Sequence, residues 1–542
     1  MNLKSFSISA VAIVFLLVSF NYGCSKKNKR PAVVFPDTNL SESPLIPMPV
    51  NLKPTFEAFG LDQYTAISTA ATDAAIHQSA AFLAEKIRGK TGLVIEVNPE
   101  DLENIDRMIF IQQTDLPETK GEEAYQIEIK KDSILVNAAH PEAIFRAIQT
   151  LRQVIPETSN DTLADRSIWV IPTGVISDKP FFEFRGSMLD VARHFFSVEE
   201  VKKYIDLLAY YKINFLHLHL SDDQGWRIEI KSWPKLATIG GSTEVGGSDG
   251  GFFTQEDYTE IVEYAARHYM TIIPEIDMPG HTNAASVAYP FLDGTGKPLK
   301  HYKGTRVGFS TFDTRKDSVY AFIDDVVGEI AAMTPGPYFH IGGDESHATR
   351  PADYIHFVNK VEKIVQKHGK RMIGWDEVAT ADVDKSSIAQ FWSSEKNASL
   401  AVTKGMKIIV SPAKKAYLDM KYDTVSRHGL TWAAYIPVDT AYNWSPEHYA
   451  KGISRESILG VEAPLWSETI SNSSELEYLA FPRMIGYSEL SWTLPEKRNW
   501  EDYKKRLAEQ APFLDRMNVN FYRSDLIDWK ESKYTFKDIS LD

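Results

Sequence analysis

Residues 184–220 read FRGSMLDVARHFFSVEEVKKYIDLLAYYKINFLHLHL. The stretch opens on a short apolar run that ends at Asp190 and closes on a second, Ile213–Leu220. Between them Ser197 and Glu200 form a capping box, and Val201, Ile205 and Leu208 recur on one helical face. Strand, helix, strand in that order makes the two strands parallel, because a helix-length crossover is what returns the chain to the same end of a sheet. The rhythm then repeats. Thr254 and Asp257 start another helix ahead of Tyr258, Ile261, Val262 and Ala265. Short apolar runs follow at Thr271–Asp277, Tyr338–Gly343, Arg371–Trp375, Ile388–Trp392, Lys407–Val410 and Ile458–Val461. Eight strands alternating with helices over about 320 residues predict a (β/α)8 TIM barrel of the α/β class, with its reactive groups where the strands end.

Ahead of the barrel, residues 44–178 predict a small α+β domain. A helical pattern runs from Ala74 to Arg88 and ends near Gly89. Tyr125, Ile127 and Ile129 alternate with polar residues, Lys131-Asp132-Ser133 turns the chain, and Ile134–Val136 returns. Pro141 opens a helix with Ile144, Ile148 and Leu151 on one face. No cluster of catalytic residue types stands there, so the domain reads as structural or docking. The barrel is placed at 179–500, and 501–542 reads as a C-terminal helical tail packed on it. At the other end, Lys4, the apolar run Phe6–Phe20, Cys24 and polar Ser25–Arg30 predict a signal peptide over 1–23 and a tether over 24–43. The apolar run is too short to span a bilayer comfortably. The segment resembles a bacterial lipoprotein signal, which implies export to the periplasm or cell surface with a lipid anchor at Cys24 holding the protein to the outer membrane. Asn21 and Tyr22 depart from that pattern, where small or aliphatic residues are usual.

Composition removes several alternatives. Cys24 is the sole cysteine, so neither an intramolecular disulfide framework nor a cysteine zinc site is available. With 73 acidic against 59 basic residues, a net −14, and no long Lys/Arg tract, the chain is not built for nucleic acid.

The predicted strand ends are rich in reactive side chains. In order they carry Asp190 with Arg193-His194; Asp222-Asp223; Glu275, Asp277 and His281; Asp344-Glu345; Trp375-Asp376-Glu377; Trp392; Tyr417 and Asp419; and Glu462, Trp466 and Glu468. Many carboxylates among tryptophans suit a sugar pocket, since indole faces stack on the apolar faces of sugars. His217 and His219 share one strand face and are weighed as a metal pair, but the fifth and sixth strands offer no histidine to complete it; a packed or hydrogen-bonded pair is the preferred reading. The paired glycines at 240–241, 246–247 and 250–251 lack the lysine and spacing of a phosphate loop. Asp344-Glu345 is the sharpest signal. Adjacent carboxylates repel, which raises one pKa and keeps a general acid protonated near neutrality. Ordinary glycosidases set two carboxyls on opposite sides of the scissile bond. Chain neighbours do not readily straddle a sugar, so either the second carboxylate lies elsewhere or the substrate supplies the nucleophile.

The motifs His340-Ile-Gly-Gly-Asp344-Glu345, Arg185-Gly-Ser-Met-Leu-Asp190-Val-Ala-Arg193-His194 and Pro274-Glu-Ile-Asp277-Met-Pro-Gly-His281 resemble those of glycoside hydrolase family 20, the β-N-acetylhexosaminidases. The resemblance implies an exo-acting, retaining hydrolase of terminal β-linked N-acetylglucosamine or N-acetylgalactosamine on glycans or chitin-type oligosaccharides, with no metal or organic cofactor. It implies that Glu345 protonates the leaving oxygen, while Asp344 and Tyr417 hold the 2-acetamido group that attacks the anomeric carbon. Arg193, supported by Asp222, would bind sugar hydroxyls, Asp419 would neighbour Tyr417 in the pocket, and Glu468 would grip the outer hydroxyls. Asp277 and His281 would form a relay orienting the general acid. Trp375, Trp392, Trp432 and Trp466 would be the aromatic walls. Two rival readings stand beside it: a carbohydrate-binding surface protein with an inactive barrel, and a relative that releases a disaccharide.

Overall fold

The computed structural model describes residues 33–69, 73–116, 121–160, 166–297 and 299–534. The predicted leader and Cys24 lie outside the described residues. Seven strands make the first sheet: β1 (Asn51–Leu61), β2 (Thr65–Thr69), β3 (Glu96–Val97), β4 (Arg107–Gln113), β5 (Tyr125–Ile129), β6 (Ser133–Ala138) and β7 (Trp169–Asp178), in the order β1-β7-β5-β6-β4-β2-β3. The period-two pattern of β5 buries Tyr125, Ile127 and Ile129 together. Helices Ala74–Thr91 and Pro141–Val154 pack on each other and on this sheet, and Ile76, Leu83, Ile144, Ile148 and Leu151 enter its core. The first helix passes Gly89, around which there is open space, and stops at Gly92, whose φ of 79° closes it with an N–H donated to the Arg88 carbonyl at 2.8 Å.

Eight parallel strands then close a barrel in chain order: β8 (Phe184–Asp190), β9 (Phe215–His219), β10 (Thr271–Glu275), β11 (Tyr338–His340), β12 (Arg371–Trp375), β13 (Ile388–Phe391), β14 (Lys407–Val410) and β15 (Ile458–Leu465), with β15 paired to β8. Helices Val198–Tyr210 and Gln255–Arg267 begin with complete capping boxes at Ser197/Glu200 and Thr254/Asp257. Four strands end earlier than their apolar runs suggest: β9 at His219, β10 at Glu275, β11 at His340 and β13 at Phe391. β11 stops at His340 because Gly342 and Gly343 turn the backbone to φ 66° and 97°. β13 stops at Phe391 because the Trp392 N–H donates to the Asp376 carboxylate, 3.1 Å away, instead of to a neighbouring strand.

The first domain meets the barrel where β8, β9 and β10 begin. Arg185 at the start of β8 and Arg146 share the Glu123 carboxylate at 2.5 and 2.8 Å, and Arg146 also donates to the carbonyls of His268 and Tyr269. Against the cost of burial, the two guanidiniums hold Glu123 down at about 2. Lys212, just ahead of β9, pairs with buried Asp178 of β7 at 3.2 Å, and the Trp492 indole N–H donates to the same carboxylate. This leaves the opposite end of the barrel, where the strands finish, free for loops. Among the described residues of the tail, only Trp500–Ala508 and Ala511–Arg516 are helical. They bind through Arg506, which grips Glu489 at 2.7 and 2.8 Å and the Leu45 carbonyl at 2.7 Å. No helix among the described residues is long and apolar enough to cross a membrane.

Candidate active site

Register builds the site. Asp190, His219, Glu275 and His340 are successive partners across β8, β9, β10 and β11, so their side chains occupy one layer near the strand ends. Glu275 lies at its centre, with carboxylate oxygens 2.5 Å from His219 Nδ1, 3.0 Å from His217 Nε2 and 3.0 Å from His340 Nδ1. His217 Nδ1 reaches Glu462 at 3.0 Å. Burial opposes a charge on these rings, yet Glu462 and Glu275 raise His217 to about 9, and Glu275 with Asp222 raises His219 well above its ordinary value. The His217–Glu275–His340 group has a metal-like spacing, with ligand atoms within 4.8 Å of one another. Glu275 stands 3.0 Å from both rings, but the two differ: His217 is raised, while burial lowers His340, whose Nδ1 also accepts the Gly342 N–H at 3.0 Å.

The layer continues upward through Asp222. Its carboxylate lies 3.0 Å from His219 Nε2, 3.2 Å from His281 Nδ1 and 2.7 Å from Arg193 Nη2. Although fully buried, Asp222 is kept well below the ordinary range by Arg193 and His281. Arg193 is fixed from the other side by Asp190 at 3.0 Å and approaches Glu468 at 3.8 Å. His281 Nε2 faces both members of the acid pair, 3.6 Å from Asp344 and 3.7 Å from Glu345. A continuous file of alternating acids and imidazoles, Glu275–His219–Asp222–His281–Glu345, therefore leads from the barrel interior to the expected proton donor.

One expected partnership is different. The imidazole of His281 meets Asp222, not Asp277. The Asp277 carboxylate is drawn under the glycine turn, where it accepts the Gly343 N–H at 3.0 Å. A Cβ on Gly342 would stand 1.9 Å from it, so only glycine fits. Burial and the Asp344 charge push Asp277 well above the ordinary carboxylate range. Glu345 and His281 both hold left-handed backbone, at φ 43° and 55°, a conformation that non-glycine residues adopt at a cost and that concentrates at functional sites.

A cavity of 330 Å³ opens above this layer, lined by Arg193, Asp344, Glu345, Trp392, Tyr417, Asp419, Trp432, Trp466 and Glu468 together with Thr305, Val307 and Leu430. Nine of the expected residues thus line one space. Burial, with Asp344 beside it, raises Glu345 to about 7, against the pull of His281 and Arg193. Asp344 Oδ1, Glu468 Oε2 and both oxygens of Asp419 are buried without a hydrogen-bond partner among the described residues, as acceptors waiting for a polar ligand would be. Burial and the Glu468 charge raise Asp419 well above its ordinary value. The Tyr417 hydroxyl stays protonated, since burial and the Asp344 charge raise it well above its ordinary value. The Trp392 ring lies parallel to Tyr417 at 6.3 Å, and Trp432 stands edge-on to both at 6.3 and 6.0 Å.

Trp375 takes a different place from the other indoles. It is fully buried under the cavity because its N–H donates to Glu275 at 3.0 Å, and it supports Trp466, 5.6 Å away, from behind. Among strand-end residues given no role in the sequence reading, Glu377 accepts the Trp392 indole N–H at 3.1 Å; burial and Asp376 raise it to about 8. Glu275, named as a strand-end acid from the sequence, proves to be the centre of the buried layer. Thr305, Val307 and Leu430 come from long connections without periodicity, and no sequence signal marks them.

Family models match almost the whole described chain: "Glycosyl hydrolase family 20, domain 2" over residues 42–179 and "Glycosyl hydrolase family 20, catalytic domain" over residues 182–495. The chain is 38% identical over 418 residues to a β-N-acetylhexosaminidase of Cellulomonas fimi, covering 77% of this chain and 83% of that one. It is 33% identical over 525 residues to a β-hexosaminidase of Porphyromonas gingivalis, covering 92% of this chain and 66% of that one. Among solved structures, the family 20 β-N-acetylhexosaminidase of Streptomyces coelicolor superposes with a TM-score of 0.85 at 41% identity, covering 90% of this chain and 99% of that one.

Proposed function

The chain belongs to glycosyl hydrolase family 20, and we propose that its strand-end cavity releases a terminal β-linked N-acetylglucosamine or N-acetylgalactosamine with the sugar's own acetamide as nucleophile. The protein is a β-N-acetylhexosaminidase, and the residue roles follow from the chemistry of the cavity. The observation that carries them is the adjacency of Asp344 and Glu345, both facing His281 Nε2 at 3.6 and 3.7 Å, since chain neighbours do not readily straddle a sugar as a nucleophile and acid pair must. Burial and the Glu468 charge raise Asp419, which also lines the cavity, and so disfavour the anion that a nucleophile would need.

Glu345 begins as the acid. A pKa of about 7 leaves it largely protonated at mildly acidic pH, ready to give its proton to the glycosidic oxygen. As the C1–O bond breaks, the acetamide oxygen closes onto C1 and positive charge spreads over the amide. Asp344 accepts the amide N–H and stabilises that charge, while the Tyr417 hydroxyl donates to the amide oxygen. Glu345, now a carboxylate, takes a proton from the water that attacks C1, the oxazolinium ring reopens, and the free sugar leaves with β configuration. Arg193, Asp419 and Glu468 bind hydroxyls, and the indoles of Trp392, Trp432 and Trp466 exclude water. The test compares aryl glycosides that differ only in a 2-acetamido or 2-hydroxyl group, with proton NMR of the first-formed sugar. Rapid turnover of the acetamide alone, with a β product first, is expected. An α-anomer first, or an ester trapped on a carboxylate, refutes the mechanism.

The same proposal includes export and lipid attachment at Cys24. Its support is the apolar run Phe6–Phe20 followed by cysteine and a polar tether. Cys24→Ala should move the enzyme from washed membranes to the soluble fraction with its specific activity intact; retention on membranes after an alkaline wash refutes the anchor.

A further inference from the structure

The sugar cavity is acidic, but one wall of its mouth is not. The stretch from Gly294 to Phe312 contains no Asp or Glu and carries Lys297, Lys300, Lys303 and Arg306, in a chain whose net charge is −14. All four side chains are exposed, and none forms an ion pair among the described residues. The next two cations behave in the ordinary way: Arg315 pairs with Asp353 at 2.6 Å and Lys316 with Asp313 at 3.0 Å.

The stretch is anchored by its backbone and its rings, which leaves the charges outward. Asn283 donates to the Lys300 carbonyl, the Gly246 N–H to that of Lys303 and the Gln224 amide to that of Gly304, each at 2.9 Å. The Tyr302 and Phe309 rings lie 4.6 Å apart, and the Arg306 guanidinium sits 5.4 Å from the Phe309 centroid. The nearest acids on the adjoining loop leave these cations free: Glu244 is occupied by the Phe195 N–H at 3.1 Å and the Ser248 hydroxyl at 2.8 Å, and Asp249 is exposed without an ion pair among the described residues.

This basic wall borders the path of the leaving group. Thr305 and Val307, on either side of Arg306, line the sugar cavity. A Cβ on Gly308 would stand 3.2 Å from the carbonyl oxygen of Glu345, the proton donor. Another edge of the cavity carries Trp432, 58% exposed, an open face for a sugar beyond the first. A neutral glycan makes no charge contact with four free cations. We propose that the leaving-group side of this site is fitted to glycans with an anionic substituent, a carboxylate or a sulfate ester, on the sugars next to the one released.

This specificity rests on the hydrolase reading above, and the test separates the two. Matched substrates place terminal β-N-acetylglucosamine on glucuronate or glucose, and on galactose with or without a sulfate ester. Their kcat/KM is measured at about 20 mM and about 0.5 M NaCl, where screening is weak and strong. At low salt the charged member of at least one pair should lead by about three- to tenfold, the size expected of two or three solvent-screened contacts. Whichever pair shows the lead identifies the anion. High salt should erase it, Lys303→Ala with Arg306→Gln should abolish it, and Lys303→Glu with Arg306→Glu should reverse it, all without changing turnover of a neutral aryl N-acetylglucosaminide. Equal kcat/KM within both pairs at low salt, or a lead that survives the double variants, overturns the proposal. Failure to turn over the neutral aryl glycoside would instead sink the hydrolase reading.

Discussion

Glu345→Gln should abolish most activity and, above neutral pH, make the protein more stable. The sign follows from linkage. Burial and Asp344 raise the folded-state pKa of Glu345 from 4.5 to about 7, so the folded chain holds this proton more tightly than the unfolded one. The penalty for ionising Glu345 in place is therefore absent below the unfolded pKa, grows as pH rises and is complete above about 7. Glutamine never ionises and escapes it. At about 1.36 kcal/mol per unit, the shift corresponds to about 3 kcal/mol. The side chain is 28% exposed, and water reaching it reduces this to about 1–2 kcal/mol. In thermal unfolding Tm should rise by about 1–2 °C at about pH 8.5 and hardly change at about pH 5. The same variant should lose about 10²–10⁴-fold in rate on substrates with poor leaving groups, and less on acidic phenols, which need little protonation. An equal Tm change at both pH values, or destabilisation at the higher one, would show that Glu345 is not held in a neutralising site. Equal rate losses across leaving groups would show that it is not the acid.

Gly342→Ala should cost more than about 2 kcal/mol in urea unfolding and lower kcat without altering any reacting group, because its Cβ would stand 1.9 Å from Asp277 Oδ1 on backbone at φ 66°; a stable variant of normal kcat refutes the tight turn. Glu275→Gln removes the anion shared by three imidazoles and should destabilise by about 3–5 kcal/mol. Since His217 is raised, the stability it gains from Glu275 is complete below pH 6.5 and fades as pH climbs through about 9, so the Tm loss should shrink over that range; a pH-independent loss refutes the charged pairing. Prolonged EDTA treatment should leave the rate unchanged, and loss restored by zinc would reinstate His217 and His219 as ligands.

The barrel was legible because period-two runs, capping boxes and strand-end acids agree at many places along the chain, and each reports the same architecture. Asp190, Arg193 and Glu345 could be placed near one another for that reason alone. What could not be read is where a side chain points once its strand has ended. Asp222 and Asp277 both lie beyond the last ladder residues, His219 and Glu275, where alternation no longer dictates direction. Both are buried, yet Arg193 and His281 hold one well below the ordinary range, while burial and Asp344 push the other well above it beneath Gly343. That difference comes from contacts between loops remote in sequence, and it decides which acid stands behind the catalytic imidazole. Trp375 illustrates the same limit one layer down. Its place at the end of β12 marks it as a wall, but a hydrogen bond to Glu275 turns the indole inside, where it braces Trp466 from behind. The pocket's shape thus depends on a carboxylate that no sugar touches. A substitution at Glu275 should therefore disturb sugar binding through Trp375 and proton donation through His219 and Asp222 together, which raises KM and lowers kcat in one variant. A change confined to either constant would mean that the buried layer and the cavity above it are mechanically separate.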